Sequence, residues 1–401
     1  MKNKSALIVI FLTVFIDLLG FGIIMPLMPS FSVNVLHINE ITIGLIVGIY
    51  SLMQFLFSPF WGKLSDRYGR KPILVMSLLG GVLSNLLLAF VFSGIILSAA
   101  LFIIARAFAG IFAANISAAQ AAISDITKPE ERTKGIALIS TAFGLGFVFG
   151  PGIGGVLSES FGYSFPVYIS AALSLIAALL CIFVFKETLP HDIKLKNRYI
   201  IFKKNSLDIG LFINTVKNPL FGKYIIIYFI AVFSFSNIFG TMQLFAERPE
   251  GLNFNQAQVG YIFSFMGVMG VIVQLFLLKL FKHKFGETNT LIIGCFLTIF
   301  GLGLIGYSTN VYFLMVVIFV LSLGNGMNST VAISLLSQHV NREEQGTILG
   351  INQSLGSLAR FLGPVWGGFV YHFLGYKYPF ITGGVFMFFI TVYAYITLKK
   401  K

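Results

Sequence analysis

Three charged side chains stand deep inside long apolar runs of this chain: Asp17, Arg106 and Arg360. Runs of 20 or more mostly apolar residues recur from end to end, which is the mark of membrane-spanning helices. Counted at about 1.5 Å per residue from one end of its run, Asp17 is ~18 Å deep and Arg360 ~21 Å. Arg106 comes out nearer the far face. A charge at mid-bilayer costs roughly 2.5–3.5 kcal/mol on insertion scales, so such residues face an interior and mark ion or substrate pathways. Apolar surroundings favour the protonated form of a carboxyl, and a neighbouring guanidinium favours the ionised form. A carboxyl that alternates between the two loads and releases a proton. Asp17 fits that role; the alternative is a permanent Asp17–Arg106 ion pair that only fixes helix packing. Arg360 binds an anionic or zwitterionic substrate, or else bonds to neighbouring helices.

The uncharged polar residues inside the runs are candidates for a cavity wall, because buried amides are costly without partners. These are Gln54, Asn115, Gln120, Gln243, Gln274, Asn325, Asn328 and Gln353. The run Gly324-Asn325-Gly326-Met327-Asn328 stands out, since two glycines loosen the helix around two amides. Cys181 and Cys295 lie alone in different runs and the five His do not cluster, so neither a disulfide nor a metal site is expected. Nucleophile–base pairs and phosphate loops are absent, which argues against an enzyme and against a bound cofactor.

The elements that position these residues follow from composition. Of 401 residues, 57% are hydrophobic, more than a soluble domain needs. The formal charge of +13 is not a nucleic-acid patch. Apart from Arg106, Arg360, Arg248 and Lys377, every Lys and Arg falls in the termini or in alternate loops, the bias of cytoplasmic segments. Both termini are therefore expected in the cytoplasm. The first run extends to about Val33, too long for a signal peptide. Twelve spans are expected: 6–33, 41–61, 73–93, 95–122, 134–157, 165–186, 223–246, 256–278, 288–307, 310–336, 346–373 and 378–398. The fold class is all-α integral membrane. Between a six-helix bundle at 1–187 and another at 223–401 runs a polar linker, 188–222. Its Lys194, Lys196, Arg198, Lys203, Lys204 and Lys217 suit anionic lipid headgroups. A monomer is expected, with a small-molecule substrate, protons and lipids as its partners.

The two halves repeat. Gly150-Pro151-Gly152-Ile153-Gly154-Gly155 returns as Gly363-Pro364-Val365-Trp366-Gly367-Gly368, and Gly162-Tyr163 as Gly375-Tyr376, at an offset of 213 residues. Asn115 and Asn328 share that offset. Gly146, Gly150, Pro151, Gly154 and Gly155 form a small-residue stripe in span 5 that lets helices approach closely. Between spans 2 and 3 lies Gly62-Lys63-Leu64-Ser65-Asp66-Arg67-Tyr68-Gly69-Arg70-Lys71-Pro72, a charged knot in a chain that is only 11% charged. Its second copy, Lys282-His283-Lys284-Phe285-Gly286-Glu287, has no acid opposite Asp66, so a latch role is expected of the first half.

The order Gly-x-Leu-x-Asp-Arg-x-Gly-Arg-Lys resembles the loop between helices 2 and 3 of the major facilitator superfamily. The resemblance implies two parallel six-helix repeats with a substrate site near the membrane midplane. It also implies a conformational latch at Gly62, Asp66, Arg67, Gly69 and Arg70. Asp17-Leu18-Leu19-Gly20-Phe21-Gly22 through Pro29 is similar to the first helix of drug:proton antiporters, tetracycline efflux proteins above all. Tyr50 to Gln54, Ser58 to Lys63 and Phe143 to Gly146 are similar as well. Arg106 with Gly110 resembles the fourth-helix motif, which implies a part in proton transfer. The Gly146 to Gly155 stripe resembles the motif of the exporter branch. Of three intramembrane acids implied in tetracycline efflux proteins, Asp17 alone matches; Ser84 and Thr298 replace the others. The expected function is proton-driven export of small amphipathic molecules across a bacterial inner membrane, with the proton gradient as energy source. An exporter of an anionic metabolite or siderophore, a proton-coupled nutrient importer and a non-transporting receptor or scaffold remain as alternatives.

Overall fold

Where the apolar runs become helices, and where those helices break, the sequence supplies the reason. The computed structural model describes residues 2–113, 115–127, 132–189, 209–341 and 344–399. The basic stretch from Lys194 to Lys204 lies outside them. In chain order the helices are α1 (Lys2–Ile24), α2 (Leu27–Asn34), α3 (Glu40–Tyr68), α4 (Arg70–Phe92), α5 (Ala99–Phe112), α6 (Asn115–Ile126), α7 (Arg132–Phe161) and α8 (Ser164–Phe183). After the linker come α9 (Ile209–Lys217), α10 (Gly222–Ser236), α11 (Ile238–Ala246), α12 (Gln256–Ile272), α13 (Leu278–Gly303), α14 (Val311–Gln338), α15 (Gln345–Leu374) and α16 (Tyr378–Lys399).

Nine stretches among the described residues are long and apolar enough to cross a membrane, and Ala99–Phe112 is a shorter apolar helix. The longest, Gln256–Tyr307, leaves helical geometry at Gly286, whose φ of 76° suits glycine. Three expected spans are each divided in two. The first breaks before Pro26, which has no N–H to continue the helix. The seventh breaks at Asn237, whose side chain donates to Pro379 O at 2.5 Å. The fourth breaks at Ala113, and three side chains take up its end: Trp61 Nε1 donates to Ile111 O at 2.6 Å, Ser77 Oγ to Phe112 O, and Gln54 Nε2 to Ala113 O at 3.4 Å. A helix end in lipid must find such donors within the protein.

The chain forms two compact units. The first holds Met1–Leu36, Leu52–Leu207 and Gln256–Ser264; the second holds His37–Ser51, Asp208–Asn255 and Phe265–Lys401. The boundary expected from the sequence near 188–222 is thus crossed twice, by the start of α3 and the start of α12. The repeated Gly-Pro motif is the cause. In the first unit, a methyl group on Gly155 would lie 2.5 Å from Gln256 O, and one on Gly260 would lie 2.4 Å from Pro151 O. In the second unit, one on Gly368 would lie 2.1 Å from Glu40 O, and one on Gly44 would lie 2.3 Å from Pro364 O. The Gly-Pro sides of the two contacts, Pro151 and Gly155 against Pro364 and Gly368, repeat at an offset of 213 residues, and the facing sides, Glu40 and Gly44 against Gln256 and Gly260, at 216. Backbones this close leave no room for a side chain, so α7 seats α12 and α15 seats α3. His372 Nδ1 adds a bond to Glu40 Oε2 at 2.8 Å beside the second seat.

The other edge of α7 holds α1. Methyl groups on Gly146, Gly150 and Gly154 would fall 3.1 Å from Leu18 C, 2.7 Å from Gly22 Cα and 2.1 Å from Ile23 O. Behind α1, Ser170 Oγ of α8 donates to Gly20 O at 2.9 Å. Ile10, Val14, Leu18, Leu78, Ala118, Ala142 and Ala177 fill the core of this unit. Gly154→Ala therefore overpacks the α1 seat and should cost about 1–3 kcal/mol. Gly270→Ala meets nothing within 4 Å and should be neutral or stabilising by up to about 1 kcal/mol. Thermal unfolding of the purified variants in detergent tests the contrast.

Candidate functional site

Asp17 sits where three helices meet. It lies half-buried on α1. One carboxylate oxygen, Oδ1, is 3.9 Å from the point a methyl group on Gly81 of α4 would occupy, and Ser174 Oγ of α8 is equally far. Ser174 in turn receives a bond from Asn85 Nδ2 at 3.2 Å. Asp17 and the Asn85–Ser174 pair thus both border Gly81, where the missing side chain leaves room. Neither Asn85 nor Ser174 was among the expected site residues. Ser174 lies in a run of Ala, Leu and Ile with no charge to mark it.

Arg106 is 3% exposed on α5, and its guanidinium carbon is 5.7 Å from the centre of the Phe21 ring. Phe21 follows Asp17 by four residues, so the two project from the same face of α1. Arg106 and Asp17 therefore address one face of one helix. Phe21 also meets Phe147 of α7 edge-on at 6.3 Å. The helix break at Ala113, held by Trp61, Ser77 and Gln54, fixes the end of the helix that carries Arg106.

The expected cavity residues divide. Gln54 is half-buried and donates to Ala113 O at 3.4 Å. Asn328 is 1% exposed and donates to Thr298 Oγ1 at 3.0 Å, a contact between α14 and α13 rather than an open wall. Gln243 is likewise 1% exposed and donates to Glu247. Gln120 and Asn325 are half-buried, and Gln353 and Gln274 are exposed, Gln274 within a π-helical turn, Val273–Leu277. The side chain of Asn115 lies outside the described residues. Arg360 is half-buried midway along α15 and donates to Ser357 Oγ at 2.8 Å.

The charged knot between α3 and α4 is built around Arg70. Its Nε donates to Asp125 Oδ2 at 2.9 Å, and its NH1 donates to Ser65 Oγ at 2.7 Å and Asp66 Oδ1 at 2.5 Å. Gly69 takes φ 110°, and a methyl group there would strike Glu187 Oε2. The Glu187 carboxylate accepts the N–H groups of Arg70 at 2.8 Å and Lys71 at 3.3 Å, capping the start of α4. Ser65 Oγ also donates to Gly62 O at 2.8 Å, and Arg67 lies over the Tyr68 ring at 5.3 Å. Asp125 and Glu187 were missed by the sequence reading, although the repeat offset pairs Asp125 with Gln338.

In the second copy His283 stands opposite Asp66, and the acid Glu287 stands where Arg70 stands in the first. Glu287, just after Gly286, pairs with Lys282 and accepts from Gln338 Nε2 at 2.8 Å and Ser334 Oγ at 3.4 Å. The second knot is thus centred on an acid where the first is centred on Arg70, with one ion pair, to Lys282, and amide and hydroxyl donors from α14. Within the first knot exposure ranks the two acids: Asp125 is 17% exposed and Asp66 52%. An exposed pair contributes at most about 1 kcal/mol. Breaking a buried pair costs about 3–5 kcal/mol. Asp125→Asn should therefore lower stability by about 2–4 kcal/mol, towards the buried limit, and Asp66→Asn by under ~1 kcal/mol. Thermal unfolding of both proteins in detergent reads the difference.

Comparison with known proteins agrees with this layout. The family model described as Major Facilitator Superfamily matches residues 10–308 and 224–401. Multidrug resistance protein 2 of Bacillus subtilis (strain 168) is 30% identical over 394 residues, 96% of this chain and 93% of that one. Tetracycline resistance protein, class B, of Escherichia coli is 29% identical over 401 residues, 99% of this chain and 95% of that one. The crystal structure of the nucleoside transporter NupG, at 15% identity, superposes with a TM-score of 0.77 over the whole of both chains and shares the fold. A multi-pass, all-helical membrane protein with these matches is a secondary transporter and not an enzyme: the chain belongs to the major facilitator superfamily.

Proposed function

We propose that this chain is a proton-coupled exporter of small amphipathic molecules, working by alternating access with Asp17 as the proton carrier. The observation that carries the reading is the setting of Asp17: a carboxyl deep in an apolar helix, bordering Gly81 as the Asn85–Ser174 pair does, on the helix face that Arg106 also addresses. Such a group holds a proton when its surroundings are apolar and gives it up when a cation or water approaches. The relatives named as multidrug and tetracycline resistance proteins support export rather than import. One proton moving down ~100 mV supplies about 2.3 kcal/mol from voltage alone, enough for well over tenfold accumulation of a neutral substrate.

In this reading the chain crosses a bacterial inner membrane twelve times, with both termini in the cytoplasm. The nine long spans support that count. So do the Gln256–Tyr307 stretch that breaks at Gly286, the broken α5–α6 pair and the 30-residue α15. The knots at Arg70 and Glu287 then lie on the cytoplasmic side, where the excess of Lys and Arg favours them. The seats of α3 on α15 and of α12 on α7 lie on the far side and part when that side opens. The two six-helix repeats are the moving bodies, with 188–222 as the connection between them.

Everted vesicles energised to carry a pH gradient test the coupling. The expected result is that at least one compound from a panel of lipophilic cations, neutral drugs and organic anions dissipates the gradient with the wild-type protein and not with Asp17→Asn. Equal movement of a compound by both proteins would remove Asp17 from the coupling.

A further inference from the structure

Among the described residues Arg360 has no acid for a partner, and its one hydrogen bond is to Ser357 Oγ, on its own helix and one turn back, at 2.8 Å. A hydroxyl does not neutralise a guanidinium, and a charge midway along a membrane helix without a counter-ion is costly. A guanidinium offers five N–H donors in a planar fork that fits a carboxylate at two points. Most of that fork is unused here.

The position of Arg360 around α15 says where the fork is directed. At about 100° per residue, Leu362 and Phe369 lie about 160° and 180° away from it. These two are 36% and 48% exposed and mark the lipid face. Gly363 and Gly367, on one flank of Arg360, pack against Ser236 and Asn237 at the α10–α11 break. Phe361 and Pro364, on the other flank, pack against Gly48 and Gly44 of α3. Arg360 therefore lies on the stripe between two protein seats and away from lipid. Below it on the same stripe is the exposed amide of Gln353. The hydroxyl of Tyr228, from α10, lies 3.0 Å from the point a methyl group on Gly356 would occupy, one turn below Arg360. Guanidinium, amide and phenol hydroxyl thus converge along about two helical turns, with Phe361 as an apolar neighbour.

We propose that this stripe is the substrate's charge-recognition site, and that the transported molecules are organic anions: a carboxylate on an apolar body, held by Arg360 with Tyr228 and Gln353 as further hydrogen-bond partners. The proposal rests on the transporter reading above and narrows its substrate class. It separates the two deep charges by task, Asp17 for the proton and Arg360 for the cargo. The carboxylate supplies the counter-charge that the described residues do not.

Equilibrium dialysis of the purified full-length protein in detergent tests it, with two matched pairs of probes: 2-naphthoate against 2-naphthamide, and indole-3-acetate against indole-3-acetamide. The expected result is at least tenfold tighter binding of the carboxylate than of its amide in one pair or both. That preference should be lost in Arg360→Gln and reduced in Arg360→Lys, which keeps the charge without the fork. Absence of the preference in the wild type overturns the proposal, whether or not either variant folds. So does a preference that survives in a folded Arg360→Gln protein. The assay has no gradient and reads no proton, so a negative result here leaves the Asp17 test in vesicles standing. A positive result beside a silent vesicle assay would keep the anion site and remove the proton coupling.

Discussion

The contact on which the rest depends is the backbone-to-backbone packing of α1 on α7. Gly146, Gly150 and Gly154 stand one turn apart, and against them lie Leu18, Gly22 and Ile23. In lipid no hydrophobic force drives helices together, and close approach through small residues takes its place. The seat fixes α1 in depth and rotation, and through α1 it fixes Asp17 beside Gly81 and Phe21 beneath Arg106. The same helix uses its other edge, Pro151 and Gly155, to hold α12. One small-residue stripe therefore sets both the position of Asp17 and a contact between segments from the two sequence halves. That double use gives a physical reason for a motif that otherwise reads as ordinary packing.

A second constraint is that every helix break inside a membrane has to be satisfied by the protein. The break after α5 is met by Trp61, Ser77 and Gln54, and at the break after α10 Ser236 Oγ donates to Phe233 O and Thr241 Oγ1 to Asn237 O. This accounts for polar residues that look like cavity candidates in sequence and bond to helix ends in the structure. It also separates them from Arg360, whose one bond among the described residues goes to a hydroxyl and not to an acid. A polar residue that closes a backbone deficit is structural. One with donors to spare on a protein-facing stripe is available to a ligand.

The large features were legible in the sequence because they rest on composition and repetition. Apolar runs gave the spans, the Gly-Pro recurrence gave the two repeats, and isolated charges gave Asp17, Arg106 and Arg360. What was not legible depends on partners far apart in the chain. Asp125 and Glu187 meet Arg70 across 55 and 117 residues, and neither stands out locally. The contacts of Glu287 were hidden because Ser334 and Gln338, which bond it, lie 47 and 51 residues further along the chain. The split of the long spans at Ala113 and Asn237 was also hidden, since hydropathy is continuous through both. Pro26, by contrast, marked its own break. Asn328 and Gln243 were expected on an open wall because an amide in a span is costly. The partners that offset that cost, Thr298 and Glu247, became visible only once the helices were packed.

The most direct measurement of the central claim is a pH-induced infrared difference spectrum of the purified protein, recorded for the wild type and for Asp17→Asn. It needs no substrate and sees a protonated carboxyl by its carbonyl stretch. A band from a carboxyl in apolar surroundings should appear in the wild type as pH falls and be missing from Asp17→Asn, with the other carboxyl bands unchanged. Identical spectra from the two proteins would mean that Asp17 does not take up a proton, and proton carriage by this residue would be contradicted.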